Sequence, residues 1–98
     1  MTGTTRSSAE LDYRRRKILF RSWHRGMREV DLVLGTFADA EIARLSEEEL
    51  AAYEALMAEP DGDILKWVTG EAPVPHHHDT PVFKRILAYR GTAASQQS

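Results

Sequence analysis

The sequence predicts an all-α fold, a compact bundle of about five short helices. Apolar residues recur at three- and four-residue spacings along most of the chain, and Ser-x-x-Glu, Thr-Pro and Gly signals fall where those stripes begin and end. No period-2 alternation flanked by hairpin turns occurs, and no internal repeat, so no strand is required.

The first helix is expected to open at Ser7, because Ser7-Ser8-Ala9-Glu10 has the spacing of a capping box, and to run to about His24. Leu11, Ile18, Leu19 and Trp23 form its apolar stripe. Gly26 suits a short turn into the next helix, since a turn of that kind wants a residue free to take positive φ. Met27, Val30, Leu34 and Phe37 then recur at spacings of three, four and three, with Gly35 and Thr36 as a weak point or kink and Ile42 and Leu45 on the same side. Leu45-Ser46-Glu47-Glu48-Glu49-Leu50 is the clearest local signal, a capping box of Ser46 and Glu49 inside a Leu45/Leu50 staple. Leu50, Tyr53, Leu56 and Met57 give that third helix its buried face, and Pro60 with Gly62 closes it. Asp61 or Asp63 can cap a short fourth helix with Ile64, Leu65, Trp67 and Val68 inward and Gly70 as its stop. Residues 70–79 hold two prolines and three histidines without apolar periodicity and are expected to be an extended loop. Thr80-Pro81 caps a fifth helix on Val82, Phe83, Ile86 and Leu87, with Arg90 in its last turn and Gly91 ending it.

Ninety-eight residues, 42% apolar and 29% charged, make one domain. Its expected limits are residues 8–91, with a flexible N-terminus over 1–7 and a disordered tail over 92–98. Such a chain does not cheaply enclose a deep substrate cavity, which weighs against an enzyme. The absence of Cys excludes a disulfide framework, a thiolate metal site and a Cys nucleophile. No apolar run approaches the ~20 residues needed to span a bilayer, and residues 1–9 lack the hydrophobic segment of a signal peptide. A cytoplasmic location is expected. The net charge of -2 conceals an asymmetry, because residues 1–31 hold eight Lys/Arg against four Asp/Glu while residues 32–98 hold five against eleven. A basic cluster of Arg14, Arg15, Arg16, Lys17 and Arg21 could serve a nucleic-acid-binding helix, but the acidic remainder would repel a polyanion, and a protein partner fits better.

His76-His77-His78-Asp79 offers metal-ligand side chains, yet consecutive residues point in different directions, so a solvated loop is expected and no metal site. Glu47, Glu48 and Glu49 are explained by a capped first turn. No glycine-rich phosphate loop is present, and His24 has no activated nucleophile to serve. The segment Arg25-Gly26-Met27-Arg28-Glu29-Val30-Asp31 is different in kind. With Met27 and Val30 inward, Arg28, Glu29 and Asp31 should face outward at a helix start with Arg25 beside them, a guanidinium–carboxylate patch suited to recognition. The competing account is a local salt bridge around a glycine turn.

Arg25-Gly26-Met27-Arg28-Glu29, followed by Asp31, Phe37, Leu45-Ser46 with Glu49, Tyr53, Asp61 and Asp63 with Trp67, and Gly70, resembles the SdhE family of small helical assembly factors across about residues 15–89. That resemblance implies a five-helix bundle that is not an enzyme. It implies binding to the flavoprotein subunit of succinate dehydrogenase, and in bacteria also of fumarate reductase, so that the flavoprotein's own histidine bonds covalently to FAD. It further implies that Arg25, Gly26 and Glu29, with Arg28 alongside, form the partner-binding patch. No cofactor would be bound by this chain itself, the FAD being held by the partner, and the free chain would be a monomer. An antitoxin-like or general protein-interaction module is the alternative of another class.

Overall fold

The computed structural model describes residues 11–97, with side chains through residue 89. Among them the chain forms five α-helices, α1 (Tyr13–Trp23), α2 (Arg28–Glu41), α3 (Glu47–Met57), α4 (Asp61–Thr69) and α5 (Pro81–Gln97), with 3-10 turns at Ile42–Arg44 and His76–His78. Helix α2 is the axis: α1, α4 and α5 pack on it, and α3 closes against α5. The stripe positions meet in one core, where Val30, Leu34, Phe37, Leu50, Tyr53, Ile64 and Ile86 are almost wholly excluded from solvent. Burying each such side chain contributes roughly 1.5–3 kcal/mol before conformational entropy is charged.

Several boundaries differ from expectation, each for a local reason. The Ser7–Glu10 capping signal and the residue 7/8 boundary lie outside the described residues. Asp12, expected within the first helix, instead caps α1, its carboxylate accepting the Arg15 N–H at 3.1 Å. Helix α3 keeps its expected capping box, with the Ser46 hydroxyl on the Glu49 N–H and the Glu49 carboxylate on the Ser46 N–H. Helix α4 is capped one residue before Asp61 and three before Asp63, the two expected caps, and without a side-chain cap: Pro60 is its N-cap and Asp61 already helical. Gly70 ends α4 in the left-handed conformation at φ 82°, and the Thr80 hydroxyl accepts the Phe83 N–H at 3.1 Å, both as expected. Helix α5 does not stop at Gly91. Its backbone continues to Gln97 through the segment expected to be a disordered tail. A single interior glycine costs a helix only about 1 kcal/mol, and the Ala-containing sequence beyond it has no proline to break the run.

Polar clusters, one buried and others at the surface, tie the helices. Tyr53 of α3 is fully buried, with its hydroxyl 2.8 Å from Ser22 Oγ of α1 and 3.1 Å from the Leu34 carbonyl of α2. Ser22 Oγ also lies 2.8 Å from the Ile18 carbonyl, so two hydroxyl protons serve three contacts and the chain of donors runs one way at a time. Burial pushes the Tyr53 hydroxyl well above its usual range. On the surface, Arg14 grips Glu54 through Nε at 3.2 Å and Nη2 at 2.6 Å and reaches Glu47 at 2.6 Å, while Arg85 bridges Glu41 and Glu49. The Arg14 hydrogen bond holds the Glu54 carboxyl below the ordinary value near 4.5, and the Ser46 N–H does the same for Glu49.

Both carboxyls therefore bind protons less readily when folded than when unfolded. Their stabilisation is complete above about pH 4.5 and is lost as pH falls through the depressed folded values. The urea midpoint is expected to fall between pH 5 and pH 3, and to fall less steeply in Glu54→Gln. An identical slope in that variant would remove the Arg14 pair as a source of acid sensitivity.

Candidate functional site

The turn between α1 and α2 is built from four restraints. His24 ends α1, its backbone N–H donating to the Arg21 carbonyl at 3.2 Å. Gly26 then takes φ 105°, a conformation L side chains rarely adopt, and a Cβ there would meet no described atom within 4 Å. Asp31, from the first turn of α2, reaches back and accepts the Arg25 N–H at 2.7 Å. The Arg25 side chain supplies the fourth restraint.

That side chain does not extend outward. Its guanidinium is largely buried at 12% exposure and reaches inward to the α3–α4 connection. Nε donates to Asp61 Oδ1 at 2.7 Å, Nη1 to the Met57 carbonyl and Nη2 to the Glu59 carbonyl at 2.8 Å. Two of these acceptors are carbonyls at and just beyond the end of α3, and the third sits in the first turn of α4, so one fork fastens the α1–α2 turn to the α3–α4 connection. Asp31, expected outward, is likewise half-buried and committed to the turn.

What remains exposed is Gly26, Arg28 and Glu29, and neither Arg28 nor Glu29 has an ion pair with any described residue. Of the four residues singled out from sequence, three thus share one open surface and Arg25 stands behind them as its support. Apolar side chains flank this surface. Phe20 is 63% exposed and stacks on the exposed His24 ring at 4.0 Å and 16°, and Leu32, one helical turn past Arg28, is 46% exposed. The sequence reading passed over Phe20 and Leu32, although each is an apolar residue lying off its helix's buried stripe. His24, considered there as a base, has Nδ1 2.7 Å from the Phe20 carbonyl and serves to hold this ring pair. Two surface clefts lie elsewhere, one lined by Phe37, Glu41, Arg85 and Tyr89 and the other by residues around Ser46 and Pro81.

Other candidates are absorbed into the scaffold. Arg14 is paired with Glu47 and Glu54, and Arg15 donates to the Ile42 and Leu45 carbonyls, which draws two cations out of the basic cluster considered for nucleic acid. Glu47 and Glu49 are ion-paired at the start of α3. The histidine run departs from expectation: it is a 3-10 turn with His78 buried, Nε2 2.7 Å from Glu59 Oε2, and Trp67 packed 5.5 Å from its ring. Trp67 is partly buried at the core edge, while Tyr53 and Phe83 are fully inside, on the apolar faces expected of their helices.

A family model described as flavinator of succinate dehydrogenase matches residues 16–90, from the middle of α1 into α5 and across the whole Arg25–Glu29 turn. The chain belongs to the SdhE family of flavinylation factors. Among similar SdhE-family proteins, the mitochondrial succinate dehydrogenase assembly factor 2 of Dictyostelium discoideum is 41% identical over 78 residues, covering 80% of this chain and 55% of that protein. The FAD assembly factor SdhE of Acetobacter pasteurianus is 35% identical over 74 residues, covering 76% of this chain and 68% of that one. The chain therefore spans about half the length of the first relative and two-thirds of the second. No solved structure matches it. No helix among the described residues is long and apolar enough to cross a membrane.

Proposed function

We propose that this SdhE-family chain docks on the flavoprotein subunit of succinate dehydrogenase through the α1–α2 turn and promotes covalent attachment of FAD to it. The observation that carries the reading is the division of labour at the turn: Arg25 is consumed in fixing it, and Arg28 and Glu29 are left exposed without ion-pair partners among the described residues, beside an open Gly26. A rigid helix start bearing an exposed guanidinium and an exposed carboxylate, flanked by Phe20 and Leu32, has the composition of an interface with a few anchoring residues.

The chemistry asked of this chain is differential binding. A partner that prefers one arrangement of the flavoprotein raises the population in which the client's own histidine and FAD are correctly placed, without lending an acid, a base or a cofactor of its own. The FAD stays with the client, which includes fumarate reductase where that enzyme is present. A monomeric free chain and a cytoplasmic site of action belong to the same reading.

The test is flavin fluorescence of the denatured flavoprotein subunit after production with and without this chain. Wild type is expected to raise the covalent signal. Glu29→Ala should weaken docking about ten-fold, the ~1.4 kcal/mol of a modest hot-spot truncation. Gly26→Arg should abolish the signal while keeping its helices, because the strain of a non-glycine residue at this φ costs about 1–3 kcal/mol, less than the stability of a typical domain. Gly26→Ala carries that strain without a reaching side chain and should retain most activity. A signal indifferent to the wild-type chain would overturn the assembly-factor reading.

A further inference from the structure

We propose that Glu59, His77 and His78 form a binding site for a divalent transition-metal ion of the Zn2+ class, linking the end of α3 to the turn that precedes α5. The two imidazoles converge on one carboxylate oxygen: His78 Nε2 lies 2.7 Å and His77 Nε2 3.7 Å from Glu59 Oε2. One ligand atom from each of the three residues falls within 4.8 Å of the others. Tetrahedral zinc with bonds of about 2.0–2.1 Å spaces neighbouring ligand atoms roughly 3.3 Å apart, so modest side-chain shifts bring this triad to coordinating distance. Two His nitrogens and one carboxylate oxygen are an ordinary donor set for such an ion, with the further position left to water.

The triad is held in place before any ion arrives. His78 is buried to 4% exposure, and its ring lies against Trp67 and 4.1 Å from the ring of His77. The 3-10 turn that aims both rings is closed by His78 N–H on the Pro75 carbonyl and Asp79 N–H on the His76 carbonyl. Glu59 is anchored through its backbone, its N–H on the Leu56 carbonyl and its own carbonyl under Arg25 Nη2. Its carboxylate has no Lys or Arg pair among the described residues. A hydrogen bond to His78 uses only part of this arrangement, since His77 at 3.7 Å is beyond hydrogen-bond distance; a dication engages all three side chains at once. Consecutive histidines failed the spacing argument because the third ligand comes from Glu59, 18 and 19 positions away on another element.

The experiment is calorimetric titration of the purified full chain with zinc chloride at neutral pH, paired with thermal melting with and without the ion. Wild type is expected to bind one equivalent and to melt higher with zinc. His77→Ala and Glu59→Gln change partly exposed side chains and leave the buried His78 in place; each should weaken binding at least ten-fold and abolish the melting shift, and His76→Ala should change neither. Circular dichroism of each variant verifies the fold. No binding by wild type, equal weakening by His76→Ala, or an unchanged Glu59→Gln would overturn the site, the last two by exposing the histidine run as an unstructured chelator.

Discussion

Arg25→Ala is expected to lower the stability of the chain by about 3 kcal/mol, the scale for removing one partner from a largely buried ion pair. The substitution leaves the Asp61 carboxylate without its cation and takes hydrogen-bond donors from the Met57 and Glu59 carbonyls, so three acceptors at the α3–α4 connection lose their partner together. Against the 5–15 kcal/mol that holds a typical domain, that is a large fraction. Arg25→Lys should recover only part of it, because an ammonium is a point charge and cannot reproduce a planar fork directed at three acceptors. The measurement is the urea midpoint at constant slope, with Asp61→Ala completing a double-mutant cycle whose coupling should exceed ~1 kcal/mol. If Arg25→Ala left the midpoint unchanged while flavinylation vanished, Arg25 would have to act at the partner and not behind the turn.

This prediction separates residues that sequence reasoning grouped together. The grouping of Arg25, Gly26, Arg28 and Glu29 came from the resemblance to the SdhE family. The local pattern of a glycine turn between two apolar stripes gave only a charged patch of Arg25, Arg28, Glu29 and Asp31 or a local salt bridge, while the stripes of α2, α3 and α4 placed most of the core. The α3 capping box and the Thr80 cap were legible too, since donor and acceptor lie within three residues. The direction of Arg25 was not, because its acceptors are 32, 34 and 36 positions away and two of them are backbone carbonyls that carry no residue signature. The Glu59–His78 contact was hidden by the same kind of separation. Helix ends were misjudged where a competent local signal had a competitor: Asp12 caps α1 within the span assigned to a longer helix, and Gly91 is carried through as an interior residue of α5.

Gly35→Ala is expected to destabilise the fold by about 2–3 kcal/mol, although alanine is the better helix former by roughly 1 kcal/mol. A Cβ built on Gly35 falls 2.3 Å from Trp23 Cδ2 and 2.6 Å from both Cε2 and Cε3, so the indole of α1 lies against the α2 backbone where any side chain would stand. What looked in the sequence like a weak point or kink is the place where the Trp23 indole of α1 seats on α2, and α2 runs unbroken through it. The indole is rigid and cannot yield by changing a terminal torsion. To make room it must swing outward, surrendering its packing against the core, although its Nε1, a buried donor without a partner among the described residues, would regain water. Gly62→Ala is the control: this glycine is also helical, in α4, but a Cβ there meets nothing within 4 Å, and the substitution should raise stability by about 0.5 kcal/mol through helix propensity. Opposite shifts in urea midpoint for two identical substitutions would establish that contact with Trp23 sets the sign at Gly35, and Trp23→Leu should relieve most of the Gly35→Ala penalty in the double variant. If both glycine variants were instead stabilised, the close seat of Trp23 on α2 would be wrong, and with it the packing that positions the end of α1 beside the Arg25–Glu29 turn.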